Sequence, residues 1–254
     1  MIIYGIHPVV EALESQASQI DRIWITRGRA NSRLKKIIQL AKAKDISVQF
    51  ESVGVIQRKA AADNHQGVVA RIGLTRYTDL EAVLKDDPEL LLLLDGVEDP
   101  QNLGGLLRTA EAVGVEGIFI PARRSCGLTP TVVKASAGAV MHQKVVRVGN
   151  LVQTLECLKE RGFWVVGLDM KGKNSFQDVG TDVPLAVVVG GEHRGLRQLV
   201  RQHCDFLISL PMQGKISSLN LSVAAGVLLY QIMFARWRKR ERACPRQRST
   251  AIPP

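Results

Sequence analysis

The sequence predicts an α/β protein in two parts, a small α/β domain followed by a larger one built on a mainly parallel sheet. Three observations carry this. Strand-like and helix-like patterns alternate along the chain, the arrangement that yields helices packed on a parallel sheet. The run ELLLLLDGV at 89–97 is continuously apolar, as a strand buried on both faces of such a sheet must be. Charge also divides the chain: of a net +10 over 254 residues, +5 falls in 1–71, −1 in 72–235 and +6 in 236–254.

Composition excludes several classes at once. With 46% hydrophobic and 23% charged residues, the chain reads as an ordinary globular protein and not as a disordered, collagenous or coiled-coil one. A chain of this length buries roughly three quarters of its unfolded surface and needs no disulfide or metal to hold it. Its four cysteines, Cys126, Cys157, Cys204 and Cys244, form no C-x-x-C pair and read as reduced thiols. No apolar run reaches the ~18 residues of a membrane span, and MIIYGIHPVVEALES has neither a basic n-region nor a cleavage site. A cytoplasmic protein with no membrane and no metal partner is expected.

In the first 71 residues, HPVVEALES reads as a short amphipathic helix and DRIWIT as a strand with apolar alternation at Ile23 and Ile25. SRLKKIIQLAKAKD reads as a helix with Leu34, Ile37, Ile38 and Ala41 on one face, and ISVQFE and GVVARI as two further strands. Residues 72–88 are polar and end in Asp86-Asp87-Pro88, a linker with a short helix. From 89 onward, strands at ELLLLLDGV, GIFIP, KVVRV, FWVVGLD, LAVVVG and FLISLPM are expected. The helices among them are NLGGLLRTAEAVG, NLVQTLECLKERG, GLRQLVRQHC and SLNLSVAAGVLLYQIMFARWRKR. After residue 235 comes an Arg-rich tail, helical at first and disordered beyond Cys244, where Pro245 and Pro253-Pro254 intervene. The basic ends suit a polyanion such as RNA, DNA or anionic lipid; plain solubilising charge explains them equally well.

Three segments carry unusual residues just after strands. DGVEDPQNLGGLLRTA (95–110) enters a helix through Pro100, Gln101 and Asn102 and two glycines, with Arg108 about two turns in. A helix start with bare N–H groups favours anions; the plainer reading is a tight turn capped by Asn102, with Arg108 solvated. The segment is neither a Walker-type phosphate loop nor a dinucleotide fingerprint. VVVGGEHRGLRQL (187–199) ends an apolar strand in Gly190-Gly191 with Glu192 directly after. Either a ligand approaches the backbone there, or Glu192 complements a helix start. In ISLPMQGKISSLNLSVAAG (208–226), Ser217, Ser218, Asn220, Ser222, Ala224, Ala225 and Gly226 crowd one strand-to-helix passage. Capping by Ser218 and close helix packing account for much of it, but not for Met212-Gln213-Gly214-Lys215. His7, His65, His142, His193 and His203 show no metal-ligand spacing, His193 and His203 falling on an expected surface helix, and no G-x-S-x-G elbow is present.

Taken in this order and spacing, the three segments resemble the motifs of the SPOUT superfamily of RNA methyltransferases, in its TrmH-like branch. That resemblance spans 89–235, and YGIHPVVEAL resembles the opening of the ribosomal-protein-like substrate-binding domain of the rRNA-modifying members. It implies an RNA substrate-binding domain at 1–71, a linker at 72–88, a catalytic domain at 89–235 and a basic tail at 236–254. It further implies a deep trefoil knot, which chain-topology base rates would never suggest, and a homodimer with each active site at the subunit interface. The cofactor implied is S-adenosyl-L-methionine, lying against Gly190, Leu210 and Leu219 with Ile208 and Met212 close by. The catalytic residues implied are Asn102, Arg108, Glu192, Ser218 and Asn220. The activity implied is methylation of a guanosine 2′-hydroxyl in large-subunit ribosomal RNA, either naked or in an assembling particle. The tRNA-modifying sister group and a non-catalytic RNA-binding assembly factor are the alternatives. Arg108, a guanidinium that does not deprotonate, is assigned to the adjacent phosphate and the developing charge on oxygen. Glu192 either orients Arg108 or accepts the proton, and Asn102 and Asn220 fix geometry.

Overall fold

The computed structural model describes residues 1–15, 17, 20–28, 32–73, 77–192, 194–216 and 218–243, without the side chains of 177, 242 and 243. Ser217, His193 and the tail from Cys244 onward therefore lie outside the described residues.

The chain begins with β1 (Ile2–Tyr4), α1 (Ile6–Ser15), β2 (Ile20–Thr26), α2 (Ser32–Ala43), β3 (Val48–Glu51), α3 (Val53–Ala60) and β4 (Val68–Ile72). The four strands form one sheet in the order β1-β4-β2-β3, with β2 and β3 parallel and the other pairs antiparallel. Alternation along β2 decides its two faces. Ile23 and Ile25 meet Leu13, Leu34 and Ile37 of α1 and α2, while Trp24 points the other way onto Ile56 and Ala60 of α3. The segments β1 and α3 are additions to the sequence reading.

After α4 (Leu80–Leu84) come β5 (Leu90–Asp95), α5 (Pro100–Val113), β6 (Gly117–Pro121), α6 (Pro130–Ala135) and a 3-10 turn at Ala139–Met141. Next follow β7 (Val145–Val148), α7 (Leu151–Glu160), β8 (Trp164–Leu168), a second 3-10 turn at Phe176–Asp178 and β9 (Leu185–Gly190). The chain continues through α8 (Gln198–Gln202), β10 (Phe206–Ile208) and α9 (Leu221–Ala243). These six strands are all parallel, in the order β10-β8-β9-β5-β6-β7. The leucine run of β5 is explained by its two covers. Leu90, Leu92 and Leu94 join the core beneath α5, α6 and α9, whereas Leu91 and Leu93 join that beneath α4, α7 and α8.

The two sheets share a core. Ile3, Ile6 and Val9 belong to the same apolar cluster as Val132, Val140 and Met141. Polar contacts frame that seam: His142 Nε2 lies 2.6 Å from Glu11 Oε2, and Lys134 Nζ donates to the Asn64 carbonyl at 3.1 Å while lying 4.7 Å from the Tyr4 ring centroid. Gly138, at φ +92°, has no room for a Cβ against Glu11.

Helix α9 runs through residue 235 without a break, so the first basic residues of the predicted tail are structural. Arg236 donates to the carbonyls of Glu89 and Val183, both at 3.0 Å, and of Thr181 at 3.3 Å. Lys239 pairs with Asp182 at 2.6 Å and Arg240 with Glu89 at 3.1 Å. These cations fasten α9 to the amino end of the sheet and are not a free nucleic-acid arm. No described helix is long and apolar enough to cross a membrane.

Candidate active site

At the carboxyl end of the parallel sheet, β5 and β9 leave side by side, with Asp95 opposite Gly190. The strand order reverses across this pair, where open α/β sheets place their ligands. Helix α5 starts here behind Pro100, and its cap is Asp99, whose Oδ1 accepts from Gln101 N at 2.9 Å. Asn102 is therefore not the cap, and its buried amide is left for other elements. The paired glycines also have a packing role. A Cβ at Gly104 would collide with Ala135 of α6, and one at Gly105 would lie 3.1 Å from the Ser222 side chain of α9. They let α5 lie close to α6 and α9.

One hydrogen-bonded chain joins the three segments. Asn102 Nδ2 donates to Glu192 Oε1 at 2.8 Å, and Asn220 Nδ2 donates to Asn102 Oδ1 at 2.9 Å. Asn220 Oδ1 then accepts from Ser222 N at 3.0 Å and Ser222 Oγ at 2.7 Å. A carboxylate at one end and a backbone N–H at the other allow both amides only this orientation. Asn220 thereby caps α9, and Ser218 lies exposed ahead of it instead of capping. Arg108 lies six positions beyond Asn102 on α5, exposed, with no ion pair to another described residue. Glu192 is thus held by Asn102 and not by Arg108. The structure brings Asn102, Glu192 and Asn220 into contact, and leaves Arg108 and Ser218 at the solvent-facing side.

The five residues expected around the cofactor divide. Gly190 ends β9, and a Cβ there would collide with the backbone of Gly195 and Leu196. Its bareness serves the protein's own loop. Ile208 is buried, Leu210 half-buried, and Met212 and Leu219 are exposed. Between β10 and α9 the described backbone enters no helix or strand, and Met212, Ile216 and Leu219 stand on it with apolar side chains open to solvent. Backbone polar groups beside apolar side chains fit the edge and face of an adenosine, so these residues suit S-adenosylmethionine. Nearby thiols offer no nucleophile: burial pushes Cys204 up to about 12, and burial followed by the charge of Asp99 raises Cys126. Among the described residues, Cys126, Cys157 and Cys204 are free, and no group of His, Cys, Asp or Glu is placed to hold a metal.

Two ion pairs were not singled out from the sequence. Asp95, with a fully buried side chain, binds Arg197, and Asp169 binds Arg201. The available signal was an Asp closing an otherwise apolar strand.

An open parallel sheet whose amide- and carboxylate-bearing loops converge at the exit of its central strands has the architecture of an α/β enzyme with its site at the carboxyl end of the sheet. The SpoU rRNA methylase family model matches residues 89–230, and the RNA 2′-O ribose methyltransferase substrate-binding model matches residues 2–78. The chain belongs to the SpoU rRNA methylase family and is an S-adenosylmethionine-dependent RNA 2′-O-methyltransferase. It is 43% identical over 235 residues, 91% of this chain and 94% of the relative, to a putative TrmH family tRNA/rRNA methyltransferase of Bacillus subtilis. It is 41% identical over 239 residues, 92% of this chain and 97% of the relative, to a 23S rRNA (guanosine-2′-O-)-methyltransferase of Shewanella oneidensis. In fold it is similar to the SpoU methyltransferase AviRb of Streptomyces viridochromogenes, solved with AdoMet, at a TM-score of 0.78 and 22% identity over 94% of this chain and 91% of that one. The resemblance drawn from the three motifs and the N-terminal segment is thus borne out.

Proposed function

We propose that this protein methylates the 2′-hydroxyl of a guanosine in large-subunit ribosomal RNA, acting as a homodimer. The observation that carries the catalytic reading is the Glu192–Asn102–Asn220 chain, which links all three motifs at the mouth of β5 and β9. The choice of ribosomal RNA rests on the match of residues 2–78 to a substrate-binding domain and on the likeness to the Shewanella enzyme.

Bound at Gly190, Ile208, Leu210, Met212 and Leu219, the cofactor supplies a methyl group on a sulfonium, a good electrophile. This chain's residues must bring a weakly nucleophilic hydroxyl into line with it. Arg108, exposed and unpaired among the described residues, binds the phosphate next to the target ribose and stabilises charge as it develops on the oxygen. Glu192, fixed by Asn102, accepts the proton at its free carboxylate oxygen. Ser218, exposed beside Asn220, contacts the substrate.

The dimer reading rests on α9. Val223, Val227, Tyr230, Phe234 and Trp237 recur at helical spacing and are all exposed, with ring centroids 6.0 Å apart for Tyr230–Phe234 and 6.5 Å for Phe234–Trp237. A continuous apolar stripe of this kind is what a subunit interface covers. Phe234→Glu should shift sedimentation from dimer to monomer; an unchanged dimer would place the interface elsewhere. The trefoil knot and the cytoplasmic location belong to the same proposal.

Mapping 2′-O-methylation in ribosomal and transfer RNA from cells lacking this gene tests the substrate. Loss of one methylguanosine in the large-subunit RNA is expected; loss in a tRNA alone would select the sister activity.

A further inference from the structure

The loop that presents Glu192 is poorly equipped to hold itself in place. It leaves β9 at Gly190-Gly191 and returns through Gly195, whose φ is +61°. Gly195 N donates to the Gly191 carbonyl at 3.0 Å, so the loop closes on itself as a tight turn with Glu192 near its tip. Within the described part of this turn, Leu196 is the one buried side chain, while Glu192 and Arg194 are exposed. Three glycines in six residues give such a turn a large conformational freedom to lose.

What ties the turn down comes from the neighbouring strands. Asp95, at the end of β5, has no exposed side-chain surface, and both its oxygens are used by one residue. Oδ2 accepts from Arg197 N at 2.8 Å and Oδ1 from Arg197 Nε at 2.6 Å. The Asp95 carbonyl accepts from Gly191 N at 3.0 Å, so one residue of β5 holds both ends of the turn. One helical turn further along α8, Arg201 reaches Asp169 just after β8, with Nε donating at 2.8 Å to Oδ2. Arg201 also donates to the Leu196 carbonyl at 3.4 Å. β5 and β8 are the two strands that flank β9. Both carboxylates are therefore placed to brace what emerges between them.

We infer that Arg197, gripped by the buried Asp95, is a positioning residue for the methyl-transfer reaction, acting through Glu192, with Arg201–Asp169 as the second anchor of the same helix. The inference rests on the reading of Glu192 as a site residue. Arg197 does not touch the reacting atoms; its guanidinium holds the glycine turn so that Glu192 meets Asn102. A buried carboxylate bound in this charge-assisted, two-point manner is stiff, which is what a positioning group requires.

A double-mutant cycle separates positioning from general support of the fold. Single-turnover methyl transfer at saturating cofactor and RNA is measured for wild type, Arg197→Ala, Glu192→Gln and the double variant, with melting temperatures alongside. Each single substitution should slow transfer by at least tenfold, and the double variant should be no slower than Glu192→Gln alone. Arg197→Lys, which keeps a donor for Oδ1, should recover most of the rate lost in Arg197→Ala. Effects that multiply in the double variant, or Arg197→Ala within twofold of wild type, would overturn the clamp while leaving Glu192 in place. A wild-type rate for Glu192→Gln would instead overturn the site reading, and this inference with it. If Arg197→Ala does not fold, Arg197→Gln carries the same cycle.

Discussion

Asn102 uses both ends of one amide, its Nδ2 donating a hydrogen bond to Glu192 and its Oδ1 accepting one from Asn220. This double use makes it more sensitive to the kind of replacement than to its size. Asn102→Ala removes both bonds at a buried position, and should cost about 1–2 kcal/mol of stability and slow methyl transfer at least tenfold. Asn102→Asp keeps the shape but faces a carboxylate with a carboxylate, so it should be slower still and should gain activity as pH falls toward the point where one of the pair protonates. Equal rates for the two variants across pH 5–8 would show that the amide only fills space. The sequence marked Asn102, Glu192 and Asn220 as candidates through motif resemblance. Their mutual bonds could not be read from it, since the partners lie 90 and 118 positions away. Asn102 and Ser218 looked equally fit to cap helices; the structure assigns capping to Asp99 and Asn220 because those residues stand directly before the helices and their side-chain oxygens accept from the first N–H groups.

Elements were legible where one local pattern decided them. The leucine run of β5 and the apolar run of β9 became central strands because both faces of the sheet are covered. Segments that depend on distant partners were not. α3 contains Gly54 and three β-branched residues and is a weak helix former, held by Ile56 and Ala60 packing under Trp24. β1 has three residues and exists as a strand through its pairing with β4. α6 is likewise held by partners, with Val132 and Val133 buried against both sheets' cores. For α9, the Arg-rich sequence suggested a tail, whereas position decided otherwise. Burial lowers the pKa of Arg236, and its guanidinium completes three carbonyls at the amino end of the sheet. Arg236→Ala should therefore destabilise the protein by about 1–3 kcal/mol in chemical denaturation, while Arg238→Ala, exposed one turn face away, should stay within about 0.5 kcal/mol. Equal effects would mean that these carbonyls find water instead.

At the scale of the whole molecule, the two sheets work as neighbours and not as beads on a linker. Deleting 1–71 would strip Ile3, Ile6 and Val9 from the shared core and leave Val132, Val140 and Met141 exposed. The truncated chain should melt at a lower temperature. Its residual RNA binding should depend less steeply on salt, because the +5 of that segment releases counterions on binding. Lys36, whose exposed ammonium pairs with Glu14 at 3.0 Å, exchanges that weak surface pair for a phosphate when it contributes to the slope. An unchanged slope would move the phosphate contacts to Arg108 and the rim of the parallel sheet. On the proposed function, the site at β5 and β9 transfers a methyl group to a ribose of large-subunit ribosomal RNA. The most direct test is transfer from methyl-labelled S-adenosylmethionine to purified large-subunit RNA and to tRNA, with the product located by resistance of its 3′ linkage to alkali. Label on one guanosine ribose of the ribosomal RNA is expected, abolished by Arg108→Ala in a protein that still binds cofactor. Label confined to tRNA, label on a base, or full activity in Arg108→Ala would contradict it.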